Sequence, residues 1–275
     1  MIYNLRVIYA LDKSLDGLEA KFTNKLGKLY DDLEITALRQ VGRMKESKGK
    51  KQIVLPKSKQ DGLNNTLKQY IRDVEKVATE SVKKELSPHT KTDEQREKLK
   101  DIKAPKSNKV NNVWADKLSQ RQAGAYLESV NKAVDEAIKA NPDISVNDLK
   151  KIVKERTKAF KNTRLDNTVQ NESNRIQNEV RLETYRASDM VRAVTFIAVL
   201  DNRTTVNCRT KNGTTLKIDD PRLRYYIVPQ HPRCRSYLFY VLKDNKKVRL
   251  TPAVKVDNQI KNHPVKKLKG MPEVA

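Results

Sequence analysis

Cysteine is scarce in this chain: two in 275 residues, with three histidines, one tryptophan and only 5% aromatic residues. So few cysteines exclude a disulfide-built scaffold and fit a reducing compartment. Long hydrophobic runs are missing as well. No stretch approaches the roughly 20 apolar residues of a membrane helix. The opening MIYNLRVIYALD is apolar in flavour, but Asn4 and Arg6 interrupt it and no small-residue cleavage site follows. A signal peptide is therefore not expected, and the protein is expected in the cytoplasm or in something assembled there. Acids are also in short supply: 34 Asp and Glu face 57 Lys and Arg, a formal net charge of +23. Such an excess repels itself in the compact state and becomes favourable beside a polyanion or an acidic partner.

What the chain has in quantity is helical periodicity. Leu15, Leu18, Phe22, Leu26, Leu29 and Leu33 recur at threes and fours and predict a helix over 12–41. A second helix is expected over 63–86 through Leu63, Leu67, Ile71, Val74, Val77 or Ala78, Val82 and Leu86, and Ser87-Pro88 ends it. A third, over 113–140, carries Trp114, Leu118, Tyr126, Leu127, Val130, Val134 and Ile138. Ser145 to Asp148 resembles a capping box and starts a fourth through Leu149, Ile152, Val153 and Phe160. A fifth, over 164–190, is so polar that it needs neighbours or ion pairs to stay ordered.

Between these lie charged stretches. Residues 43–59 hold seven basic residues against Glu46, and Gly49 and Pro56 break any helix there. Arg43, Lys45, Lys48, Lys50, Lys51, Lys57 and Lys59 are candidates for contact with duplex DNA phosphates. Residues 88–112 read as a polar linker with room for a short helix near 93–100. The tail, 243–275, has nine basic residues against three acids and is punctuated by Pro252, Pro264 and Pro272. It reads as an extended basic arm, with Lys246, Lys247, Arg249, Lys266, Lys267 and Lys269 as further DNA-contact candidates.

Residues 195–242 differ in kind from the rest. They hold both cysteines, one histidine and the strongest β signals, in 195–200 and 237–242. Asn212-Gly213 marks a tight turn, Asp219-Asp220-Pro221 a loop start, and His231-Pro232-Arg233-Cys234-Arg235 a rigid corner. Cys208, His231 and Cys234 supply three of the four ligands that zinc prefers, with Asp201 as a candidate fourth. Asp201, Arg203, His231 and Arg235 hold a potential base and two phosphate-gripping cations, so a metal-dependent nuclease centred on Asp201 and His231 is the enzymatic alternative. The residues fit better as a structural polar cluster clipping a small sheet shut. Asp201 is placed to accept turn amides or pair with Arg203 or Arg235, and no catalytic residue is assigned.

The order Leu200-Asp201-Asn202-Arg203-Thr204, then Cys208, Asn212-Gly213, Pro229 and His231-Pro232-x-Cys234-Arg235 resembles the C-terminal signature of tailed-phage minor head proteins, the head-morphogenesis family that includes the phage Mu F-like proteins. Members typically show D-x-R-T-C-x-x-C, a Gly turn and P-x-H-P-x-C-R-C. Thr205 and Ser236 stand where two family cysteines would be, which disfavours a complete zinc site; no cofactor is expected. The resemblance implies a virion protein, present in few copies, bound to portal and capsid proteins and acting in DNA packaging or ejection. It places Asp201, Arg203, Thr204, Cys208, His231, Pro232, Cys234 and Arg235 in the signature. A host or mobile-element protein that binds nucleic acid is the remaining alternative. The expected fold is α+β and predominantly α-helical: long N-terminal helices over 1–142, a module over 143–242 with helices in 145–190 and a small sheet in 194–242, and the tail.

Overall fold

The computed structural model describes residues 5–44, 52–104 and 109–264. Those residues form seven α-helices and one three-stranded sheet, an α+β fold that is mostly helical. They are α1 (Leu5–Met44), α2 (Lys57–Leu86), α3 (Asp93–Asp101), α4 (Lys109–Ala140), α5 (Val146–Ser188), β1 (Val191–Ile197), α6 (Val206–Lys211), β2 (Thr215–Lys217), β3 (Tyr237–Leu242) and α7 (Ala253–Asn262). No described helix is long and apolar enough to cross a membrane.

The chain separates into two compact units that interleave along the sequence. One comprises 18–70 and 109–169; the other comprises 1–17, 71–108 and 170–275. The first is a helical unit. Its α1 buries Phe22, Leu26, Tyr30, Leu33, Ala37 and Val41, so the expected stripe is centred on Tyr30 while Leu18 and Leu29 flank it. Phe22 stacks on Tyr70 at 3.7 Å between ring centroids, and Trp114 is buried as a core residue. Residues 52–56 are not a loose loop here. Ile53 and Leu55 are buried; the Ile53 amide donates to Asn131 (2.8 Å) and Gln40 brackets Val54 through both its amide and its carbonyl. Pro56 offers its carbonyl to the amides of Lys59 and Gln60 and starts α2 six residues before the expected point.

The second unit holds the sheet, in the order β2-β1-β3 with both pairings antiparallel. Strand β1 begins earlier than expected, at Val191, and a bulge between Val191 and Ala193 switches its facing. As a result Val191, Val194 and Phe196 point into one core with Leu182, Tyr185, Cys208, Tyr226 and Leu238, while Ala193 joins Val241 and Val248 on the other side. Gly213, at φ +77°, makes the turn into β2 that Asn212-Gly213 announces, its amide bonded to the Phe196 carbonyl.

The short helix for which 88–112 leaves room is present as α3, started by a capping box between Thr92 and Gln95. Two expectations need correction. The fourth and fifth helices are one, α5, because no Gly or Pro interrupts 146–188. The tail is not an extended arm up to residue 264. Pro252 opens α7, which buries Val256 and Gln259, and just before it Thr251 pairs with Thr215 of β2 through its amide and its hydroxyl, both at 2.9 Å.

Candidate functional site

The signature residues converge at one end of the sheet. After β1 the chain turns at Asp201, whose Oδ1 accepts the Arg203 amide at 2.9 Å and one Arg235 Nη at 2.7 Å. Thr204 accepts the Asp201 amide at 2.8 Å and donates to the Val199 carbonyl. The Asp–Arg pairing expected from the sequence is thus made with Arg235; Arg203 takes part through its backbone. The Arg235 guanidinium and the turn amide hold the Asp201 carboxyl far below its ordinary value of 3.8, which makes it a poor proton acceptor. A carboxylate so depressed contributes stability above the unfolded-state value and loses it as pH falls through the folded value. Asp201→Asn should therefore flatten the acid limb of the stability curve below about pH 4 relative to wild type; parallel limbs in acid titrations of the two proteins would contradict the pairing.

Thr205 caps α6 by accepting the Cys208 amide, which sets Cys208 in the first turn and Lys211 in the last. The corner 231–235 comes back against it. His231 offers its carbonyl to the Cys234 amide at 3.1 Å, Arg233 adopts φ +58°, and the peptide between Val228 and Pro229 is cis. The Cys208 and Cys234 sulfurs stand 3.7 Å apart as free thiols, both buried. The ligand atoms of Cys208, His231 and Cys234 all lie within 4.8 Å of one another. Asp201, the candidate fourth ligand, is outside that group and committed to Arg235. Thr205 and Ser236 do face the group: both hydroxyls bond to Cys208, and Ser236 also bonds to Cys234. The Cys208 thiol keeps its proton by sharing it with Cys234, and the same contact, with help from His231, favours the Cys234 thiolate. The Cys234 contact raises the His231 pKa.

Sequence reasoning missed the residues that hold this corner. One face of α5 carries Asn171, Asn174 and Asn178. Asn171 accepts the Arg233 amide at 2.6 Å, Asn174 donates to the Cys234 carbonyl, and Asn178 accepts the Leu238 amide at 2.9 Å. Three asparagines spaced three and four apart on a polar helix are the signal that could have revealed this ladder. Asn178→Ala would orphan a buried amide of β3 and should lower stability by about 1–3 kcal/mol in urea unfolding; a change within error would show that the ladder does not hold β3. Lys211 was also missed. It is fully buried, donating to Gln230 Oε1 at 2.6 Å and to the Tyr225 carbonyl at 3.0 Å, and burial lowers its pKa to about 8. Gln230 in turn donates to the Ile227 carbonyl at 2.6 Å.

Residues 128–239, from within α4 to near the end of β3, match the family model described as phage Mu protein F like protein. Over those residues the chain is similar to Mu F-like proteins. No curated protein and no solved structure matches the chain at the significance required. The Mu F-like match covers less than half of the chain and contains the whole corner, the asparagine ladder and the first turn of the signature. Of the basic candidates outside it, Arg43, Lys57, Lys246, Lys247 and Arg249 are exposed, whereas Lys59 is drawn to Asp32 at 2.9 Å. Lys45, Lys48, Lys50, Lys51, Lys266, Lys267 and Lys269 lie outside the described residues.

Proposed function

We propose that the protein is a minor head protein of a tailed phage, bound at the portal and capsid interior and touching packaged DNA through phosphates without reading sequence. The Mu F-like module carries this reading. The net charge of +23 supports the nucleic-acid part of it, because a polyanion offsets the self-repulsion of so basic a chain. Exposed Lys246, Lys247 and Arg249 form no ion pair among the described residues, which suits positioning contacts to a phosphate backbone. On this reading the signature corner is structural: its polar groups are spent on one another and on α5, and they hold the sheet while other surfaces bind partners.

The test is the protein's whereabouts. Quantitative mass spectrometry of purified particles should find it in a few copies per particle, and cross-linking should join it to the portal subunit. A protein confined to infected-cell lysate and absent from particles would overturn the proposal in favour of a nucleic-acid-binding protein without a virion role.

A further inference from the structure

We infer that Cys208, His231 and Cys234 form a binding site for one thiophilic divalent cation, with zinc as the ion their geometry fits best. The separation of the sulfurs decides this. A disulfide needs about 2.05 Å between sulfurs, and the observed 3.7 Å is far outside that. Two thiolates on a tetrahedral zinc, each bonded at about 2.3 Å, stand about 3.8 Å apart. The thiols already sit at the edge length of a zinc tetrahedron.

The third ligand is oriented in the manner of a metal-bound histidine. Nδ1 of His231 lies 2.8 Å from the Pro232 carbonyl, which fixes that nitrogen as the donor and leaves Nε2 as the ligating atom. The supports are backbone contacts independent of any ion. Asn174 holds the Cys234 carbonyl, Asn171 holds the Arg233 amide, and the Thr205 cap holds Cys208. Zinc needs two thiolates and a neutral imidazole, which with Zn²⁺ give a centre of zero net charge, so the protons that the group holds, that of Cys208 among them, pass to solvent on binding. The fourth position falls to a water or to the Ser236 hydroxyl, which already contacts both sulfurs. Zinc with three protein ligands and one exchangeable position is a stable arrangement.

The full-length protein, purified reduced and without chelator, should be titrated with Co²⁺ and then with Zn²⁺. One cobalt per chain is expected, with thiolate charge-transfer absorption and the visible bands of tetrahedral cobalt, all abolished by one equivalent of zinc. His231→Ala should weaken affinity by more than the roughly 10–100-fold that loss of an outer partner causes. Cys208→Ser and Cys234→Ser should each diminish the charge-transfer band. Ser236→Cys adds a third thiolate at a buried position of similar size, so it should tighten binding and strengthen the band even if the ligand deletions fail to fold. The inference is overturned if wild type and Ser236→Cys both show no cobalt bands while both thiols react with a thiol reagent. It is equally overturned if the protein isolated from cells carries a Cys208–Cys234 disulfide, which would make the pair a redox couple.

Discussion

Glu85→Ala should destabilise the sheet-bearing unit by about 3–5 kcal/mol, because it strands a buried guanidinium. Arg181 meets Glu85 through two bonds, at 2.7 and 3.0 Å, and both side chains are about 5% exposed or less. Arg181 also donates to the Tyr185 hydroxyl at 2.8 Å, and burial keeps that phenol protonated well above its ordinary range. The pair joins the end of α2 to α5, and its neighbours Leu86, Leu182 and Tyr185 belong to the core that β1 also enters. Removing one partner of a buried pair is far worse than removing both. The double replacement Glu85→Leu with Arg181→Met should therefore recover most of the loss, and a double-mutant cycle isolates the coupling. Because the chain has two units, amide hydrogen exchange of β1 is the right measurement; global unfolding would average over both. A Glu85→Ala variant whose β1 protection matches wild type would show that the charge is relieved elsewhere.

Duplex DNA binding by the full chain should collapse as salt rises. A protein that neutralises 6–10 phosphates loses about 10³–10⁵ in affinity between 50 and 200 mM salt. The thirteen basic candidates are enough to reach that range even with Lys59 committed to Asp32. The dependence should be the same for unrelated sequences, since phosphate contacts position without specifying. Replacing Lys246, Lys247 and Arg249 together by Gln should lower the log–log slope by about 0.9 for each phosphate that is no longer neutralised. A shallow slope, or a strong preference for one sequence, would contradict phosphate contact as the source of affinity.

Much of the helical part was legible because its apolar residues keep the period of a helix. Leu26, Leu33, Leu63, Leu67, Val130 and Val134 are all expected core residues and all are buried. The second half of α5 was harder. Its amino acids read as a solvated surface, yet no position between 172 and 185 is exposed. Polarity misleads there because the charges are internal: Arg175 is bonded to Glu172 and Glu179, and Arg181 to Glu85. Partners such as Glu85, nearly a hundred residues away, leave no local trace. At the corner, the His231–Cys234 spacing and the Asp201 turn were readable from neighbouring residues. The arrival of Cys208 between them depended on β1 and α6, and rested on the family resemblance. Lys211 ran against expectation outright: in so basic a chain nothing marks one lysine for the interior, and its acceptors come from residues 225 and 230.

The pairing of Thr251 with β2 has a consequence for how this chain behaves in a crowd. A three-residue outer strand with free amides and carbonyls invites a second copy to add on by backbone bonding. Here the chain itself occupies part of that rim, just before α7. Shortening the protein from its C-terminal end would remove this guard well before it reached the signature corner. A trimmed chain would then keep its site intact while acquiring a sticky seam prone to self-association.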